Sequence, residues 1–451
     1  MGKPERTKMR RDKAAAWLVV AGLALMEGHA AFAQTRPGPA AGEQAATGAA
    51  QTQPGASGAK GSGASAETSG SLQERQPAPP PITAPFRVHL IAQNISGGYQ
   101  VLAADLNKDG KTDLVALGLS ADSLVWYENP SWTPHVITSA APKMVSMDAA
   151  DLDGDGIPEI VVAYGFNALP AKSVGNISIF RHNGDPRQPW APMREIDKVP
   201  ATHRVKFANV NGRGRGTVVA APILNEKSPG FADPEHLPTP LYAYREEHGW
   251  KRELITDENR GVVHGLLAYD WFGSGRQDIL TAGYSGIAVH HLGRRGRWTR
   301  TVISDGDPAA WPHGGAGAVV VGKLAGKQFF ASIEPFHGNM VVVYTQDAQG
   351  IYRRHVIDDA LTTGHALTLV DVDGDGIPEI VAGGNRTKAN LFFYRATDKS
   401  GQSWTKMLMD NDMAASNCVD ADIKGVGRKT DVVCMEARAP FALKWYEYVG
   451  K

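Results

Sequence analysis

The sequence predicts an all-β protein, a seven-bladed β-propeller whose last blade is completed by the N-terminal strand. Three observations carry this. One unit recurs seven times along the chain, and its plainest copy runs Gly364-His365-Ala366-Leu367-Thr368-Leu369-Val370, then Asp371-Val372-Asp373-Gly374-Asp375-Gly376, then Ile377-Pro378-Glu379-Ile380-Val381-Ala382. The inner runs of each unit are almost wholly apolar instead of alternating, so both of their faces must be covered. The seventh unit stops at its third strand, Trp445-Tyr446-Glu447, while a spare fourth strand, Phe86-Arg87-Val88-His89-Leu90-Ile91, stands at the other end of the chain. Four-stranded sheets arranged around an axis satisfy all three, and closing the ring removes two free sheet edges.

The chain has 451 residues, with 50 Gly and 28 Pro, so turns are frequent and long helices are not expected. Lys and Arg (47) balance Asp and Glu (47), which argues against a nucleic-acid binder that relies on a basic surface. Residues 1–33 read as an export signal. Lys3, Arg6, Lys8, Arg10, Arg11 and Lys13 form a basic start, Ala14 to Met26 is an apolar run of 13 residues, and Ala31-Phe32-Ala33 is a small-x-small cleavage site. A bilayer span takes about 20 apolar residues, so cleavage is expected in place of a membrane anchor. A secreted or periplasmic protein with no membrane span follows, and the remainder carries a net charge near −3. Residues 34–85 are rich in Ala, Gly, Pro, Ser, Thr and Gln and read as a flexible linker. Residues 86–451 form the propeller.

Each repeat contributes four strands, exemplified by Val101-Leu102-Ala103-Ala104, Asp113-Leu114-Val115-Ala116, Leu124-Val125-Trp126-Tyr127-Glu128 and Pro134-His135-Val136-Ile137. The turn after the first strand opens at Asp105, Asp151, Asn209, Asp270, Gly322, Asp371 and Asp422, the Gly322 copy being placed by spacing. Three of these turns carry acidic-type side chains at positions 1, 3, 5 and 9: Asp105, Asn107, Asp109 and Asp113; Asp151, Asp153, Asp155 and Glu159; Asp371, Asp373, Asp375 and Glu379. Oxygen donors at alternate positions of a tight loop suit Ca²⁺, with the carbonyls of Lys111, Ile157 and Ile377 as a further ligand each. The metal-free alternative is an Asp-Gly hairpin turn. Calcium here is expected to be structural. The loops at Asn209, Asp270 and Asp422 have lost ligands and are expected to be empty.

These loops and four-strand units resemble FG-GAP/VCBS repeats, the integrin-α-type seven-bladed propeller, over roughly residues 86–450. That family hosts adhesion modules, lectin-like proteins and enzymes, so the resemblance implies fold and calcium but not function.

Function is sought among the 14 histidines. His203, His264 and His365 each lie six residues before the first loop position, and His313 slightly further ahead of Gly322. Six residues at about 3.3 Å each span one strand, so these side chains belong on the opposite face, beside the central channel. His337, in the loop joining strands two and three of its blade, opens on that face as well. Blades one, two and seven have Tyr99, Val145 and Ser416 at the equivalent place. Each histidine alone reads as a turn residue; together they read as a site. Two chemistries are open: neutral imidazoles holding Zn²⁺ or another divalent transition metal, or one imidazole acting as general base. Arg204, Arg386, Arg438 and Lys227 fall on the same face, as donors to a carboxylate or carbonyl oxygen.

His203-Arg204-Val205, Val263-His264-Gly265, Glu334-Pro335-Phe336-His337-Gly338-Asn339 and Gly364-His365-Ala366-Leu367 resemble the propeller domain of aldos-2-ulose dehydratases. The resemblance covers the propeller only. It implies metal- and histidine-dependent elimination of water from a keto-sugar, with His203, Arg204, His264, His313, His337 and His365 at the site and a carbohydrate as substrate. The substrate classes so implied are keto-sugars and, by likeness to propeller polysaccharide lyases, uronates, and the implied enzyme class is a carbon–oxygen lyase. The competing reading is a non-catalytic propeller that binds a glycan or protein, with Trp311, Trp271 and Tyr284 as aromatic platforms. Cys418 and Cys434 are expected to face each other across adjacent strands, as a disulfide or as two buried thiols.

Overall fold

The computed structural model describes residues 82–450 except 215, 387 and 388. The export signal and nearly all of the linker lie outside the described residues. Among the described residues twenty-eight strands form seven antiparallel four-stranded sheets, six of them taken up in chain order from the inside outward. The innermost strands are Gly98–Ala104, Ser146–Ala150, Thr202–Ala208, Val263–Tyr269, Ala318–Leu324, Gly364–Val370 and Ala415–Ala421, in blades one to seven. In blade seven the outer place is taken by Phe86–Ala92, which pairs antiparallel with Leu443–Tyr448 from Phe86 opposite Tyr448 to Ala92 opposite Leu443. Residues 82–85, assigned above to the linker, run alongside the outer strand of blade six. Ala84 is buried there and donates its N–H to the carbonyl of Leu408 at 2.7 Å.

The apolar second strands explain the stacking. Asp113–Gly118, Thr217–Pro222, Asp278–Gly283, Glu379–Gly384 and Asp431–Glu436 are buried at every residue. The core therefore lies between blades. Leu117 and Trp126 of blade one, for example, pack with Met147, Ile160 and Phe180 of blade two. Cys418 and Cys434 are direct cross-strand partners in blade seven and are joined by a disulfide.

Blade five corrects the repeat frame. Its innermost strand runs through Gly322 to Leu324, and a two-residue turn at Ala325 and Gly326, both with φ in the left-handed region (48° and 79°), leads straight into the next strand. Such a turn closes a hairpin with no room for an acidic loop. Gly322 is a strand residue, not a loop position.

Candidate active site

Five innermost strands present their second residue in the same way. In blades one, three, four, six and seven this residue is Tyr99, His203, His264, His365 and Ser416. The ladder to the neighbouring strand skips it each time, passing from Gly98 to Gln100, Thr202 to Arg204, Val263 to Gly265, Gly364 to Ala366 and Ala415 to Asn417. A skipped residue is a β-bulge, which frees a side chain from strict in–out alternation and re-aims it. In blades two and five the ladder runs without a shift from Ser146 and Ala318.

His337 arrives by another route. It sits in the turn after Lys327–Glu334 with φ of 52°, a left-handed value that few side chains tolerate. The next residue must be glycine, because a Cβ on Gly338 would lie 2.3 Å from the carbonyl oxygen of Glu334. The turn is anchored by Glu334, fully buried, whose carboxylate accepts from the Tyr344 hydroxyl at 2.6 Å and from Nε of Arg354 at 2.9 Å.

Four imidazoles meet as a result. Ring centroids are 5.0 Å apart for His264 and His365, 5.1 Å for His264 and His337, 5.0 Å for His337 and His365, and 4.9 Å for His203 and His264. One nitrogen from each of His264, His337 and His365 lies within 4.8 Å of the others. Nδ1 of His264 donates to the carbonyl of Gly317 at 2.6 Å, and Nδ1 of His365 donates to the carbonyl of Ser416. A carbonyl can only accept, so the proton sits on Nδ1 and each Nε2 keeps its lone pair. Nε2 of His337 is buried and has no hydrogen-bond partner.

Tyr99 and Arg204 complete the group. The Tyr99 hydroxyl lies 2.7 Å from Nε2 of His203 and 3.5 Å from Nε2 of His365. Arg204 reaches the Tyr99 hydroxyl at 3.3 Å and Nε2 of His264 at 3.4 Å. Tyr99, Arg204, His264 and His365 line a cavity of about 110 Å³. Burial, reinforced by the Arg204 charge, holds His203 and His264 well below the usual histidine range. Burial and the neighbouring His337 do the same to His365, and burial pushes His337 down to about 3. The cluster is therefore neutral imidazole at physiological pH.

This donor set fits a divalent transition metal. Its members are neutral, two have their tautomer set by backbone carbonyls as metal-bound histidines generally do, and the third offers an orphaned buried nitrogen.

His313 does not join them. It is exposed, in the turn leading to the bridge between Asp307 and Gly315, and shares no ring contact or side-chain hydrogen bond with the cluster. The missing strand-end loop of blade five removes the frame on which its offset was counted. Trp271 is also displaced from the expected face: it follows Asp270 at the acidic-loop end and contacts Phe330 and Tyr352.

Residues 174–347, which include His203, Arg204, His264, His313 and His337 but not His365, match the family described as aldos-2-ulose dehydratase, beta-propeller domain. Residues 95–162 match an FG-GAP-like repeat. The propeller resembles that of the aldos-2-ulose dehydratases. The aldos-2-ulose dehydratase of Phanerodontia chrysosporium is 26% identical over 423 residues, covering 82% of this chain and 45% of that enzyme. The chain thus spans less than half the length of the relative. Solved structures with a similar trace include an Agrocybe aegerita lectin that recognises non-reducing terminal N-acetylglucosamine (15% identity, 78% and 85% of the two chains, TM-score 0.46). Another is BBS1N in complex with ARL6DN (12% identity, 81% and 98%, TM-score 0.48).

The FG-GAP-like loops occupy the other end of the innermost strands. The first acid of each loop caps the backbone N–H five residues on: Asp105 to Gly110, Asp151 to Gly156 and Asp371 to Gly376, at 2.8 to 3.0 Å. Asn209, Asp270 and Asp422 make the same bond in the ligand-poor loops. The acid at position 9 likewise accepts from the N–H at position 2, in Asp113, Glu159 and Glu379 but also in Asp278 of blade four. Positions 1 and 9 therefore shape the turn whether or not metal binds, and positions 3 and 5 distinguish the three rich loops. Asp109, Asp155 and Asp375 at position 5 accept from the N–H of Lys111, Ile157 and Ile377.

The three rich loops differ from one another. Carboxylate oxygens of Asp151, Asp153 and Glu159 come within 4.8 Å of one another, as do those of Asp371, Asp373 and Asp375. Asp371 Oδ1 is buried without a partner, which fits a cation there. In blade one Asp113 is fully buried, and its second oxygen accepts from the N–H of Asn129. Asn107 donates its amide N–H to Glu128 at 3.0 Å and keeps its Oδ1 on the loop, where it accepts from the N–H of Asp109 as Asp153 and Asp373 accept from Asp155 and Asp375. Arg181 bridges Asp153 and Glu159, and Arg395 bridges Asp373 and Glu379.

Tyr99 was legible in the sequence only as the residue standing where other blades carry histidine. Its proximity to His203 comes from the shared bulge, which leaves no trace in composition or spacing.

Proposed function

We propose that this chain is an exported sugar dehydratase or lyase that removes water, or another β-leaving group, from a keto-sugar or sugar acid at the histidine cluster. The observation that carries the reading is the meeting of three imidazole nitrogens within 4.8 Å, from three blades, beside Arg204. The relationship to the propeller of a sugar dehydratase supports it. His264, His337 and His365 would hold Zn²⁺ or a similar ion, which when bound supplies Lewis-acid polarisation of a carbonyl. Arg204 directs N–H donors at an oxygen that gains charge when the proton α to the carbonyl leaves. His203, outside the metal trio and bonded to Tyr99, is placed to hold and pass that proton. Loss of the β-hydroxyl as water then completes the elimination.

The non-catalytic glycan-binding reading needs open aromatic faces. Trp311 is instead pinned, stacked on His236 at 4.1 Å with its indole N–H donated to the carbonyl of Asp233. Tyr284 and Phe336, part-buried, are the nearer rings, and Phe336 lies 5.0 Å from His264. They would flank a bound sugar in either reading.

Calcium at the loops of blades two and six, and export through residues 1–33, belong to the same proposal; the disulfide in blade seven suits an oxidising compartment. Among the described residues no helix is long and apolar enough to cross a membrane. Metal analysis of the mature chain tests the enzyme reading. One equivalent of zinc, iron or manganese, lost in His264→Ala and His365→Ala, is expected beside calcium. Calcium alone would favour the binding propeller.

A further inference from the structure

Arg204 and Lys206 leave the same innermost strand two residues apart, yet only one of them is neutralised by the protein. Lys206 Nζ lies 3.2 Å from Asp148 of blade two. The Arg204 guanidinium has no carboxylate within ion-pairing distance among the described residues. Its partners are the Tyr99 hydroxyl, Nε2 of His203, the His203 carbonyl and Nε2 of His264, at 3.2 to 3.4 Å. None of these carries a negative charge. The cavity lined by Tyr99, Arg204, His264 and His365 has no Asp, Glu or Lys in its wall. Its wall therefore offers the part-buried Arg204 guanidinium and no anionic side chain to meet it.

An unpaired cation withdrawn from water is costly until an anion meets it. The planar fork of a guanidinium matches a carboxylate, which it can bind through two parallel hydrogen bonds. A phosphate group calls on more donors than this single side chain supplies. Resting on the sugar-site reading above, we propose that the site takes a sugar acid and that Arg204 holds its carboxylate.

The test is calorimetric titration of the metal-replete mature chain with glucuronate and galacturonate, with the matching neutral hexoses, and with glucose 6-phosphate. A uronate is expected to bind at least tenfold more tightly than its neutral hexose. Arg204→Gln should abolish that preference and Arg204→Lys should keep only part of it; the lysine variant also serves if Arg204→Gln fails to fold. Neutral hexoses binding as tightly as the acids, or glucose 6-phosphate binding best, overturns the inference and leaves the sugar site standing. No binding of any sugar overturns both.

Discussion

His264 donates its Nδ1 proton to the carbonyl of Gly317, 2.6 Å away in the next blade. His365 does the same to Ser416 across the boundary between blades six and seven. Both histidines thus tie two blades together while presenting Nε2 to the cavity. Spacing alone puts these residues on the face opposite the acidic loops, beside the central channel. The structure buries both, with His264 4% and His365 7% exposed. Removing either ring leaves a buried carbonyl unpaired and a gap between blades, so His264→Ala and His365→Ala should each cost about 1–3 kcal/mol. Urea unfolding measures this; variants as stable as the parent would show that the inter-blade bond contributes nothing.

Calcium is predicted to stabilise blades two and six by binding the native state. Thermal unfolding should shift down in EDTA and recover with Ca²⁺. Asp373→Ala should weaken one site only. Arg395 now bridges Asp373 and Glu379, so Arg395→Gln should raise calcium affinity at blade six by relieving competition for those oxygens. A melting temperature indifferent to EDTA in a metal-free preparation would sink the calcium proposal.

The bridge between Cys418 and Cys434 predicts no free thiol in denaturant without reductant. The two residues are 16 apart, and closing a loop of that size stabilises a fold by about 3 kcal/mol through the unfolded chain. Reduction should lower stability by that order. Two titratable thiols per chain would refute the bridge.

His290 makes the acid limb of stability testable away from any metal ligand. It is fully buried in blade four, bonded through Nε2 to the Thr281 hydroxyl, and burial pushes it down to about 3. The unfolded chain, with an ordinary histidine near 6.5, binds the proton more readily. Its contribution is therefore intact above about pH 6.5 and is lost as pH falls toward 3. At pH 5 the loss is about 2 kcal/mol. His290→Gln should flatten the stability profile between pH 6.5 and 4; an unchanged slope would contradict the assignment.

Much of this architecture was written in the repeat. The non-alternating second strands announced burial on both faces, and the six-residue offset of His203, His264 and His365 from the acidic loops put them at one end of the channel. The offset failed for His313 because blade five replaces its loop with the Ala325-Gly326 turn, so the count began from the wrong place. Tyr99 stands six residues before Asp105, as the histidines stand before their loops, but its hydrogen bond to His203 depends on how the bulge aims its hydroxyl, which spacing does not show. The acids at positions 1 and 9 also cap backbone N–H groups of the turn, as Asp270 and Asp278 do in a ligand-poor loop, a second role that the ligand pattern alone does not reveal.

The central claim is that the histidine cluster eliminates water from a sugar. The measurement that bears on it most directly is the ultraviolet absorption of the conjugated product, an enone from a keto-sugar or an α,β-unsaturated carboxylate from a sugar acid, when the metal-replete chain is incubated with each. The expected result is formation of that product, lost in His365→Ala while calcium content is unchanged. Product formation that survives in His365→Ala, or none by the metal-replete parent across both substrate classes, would contradict it.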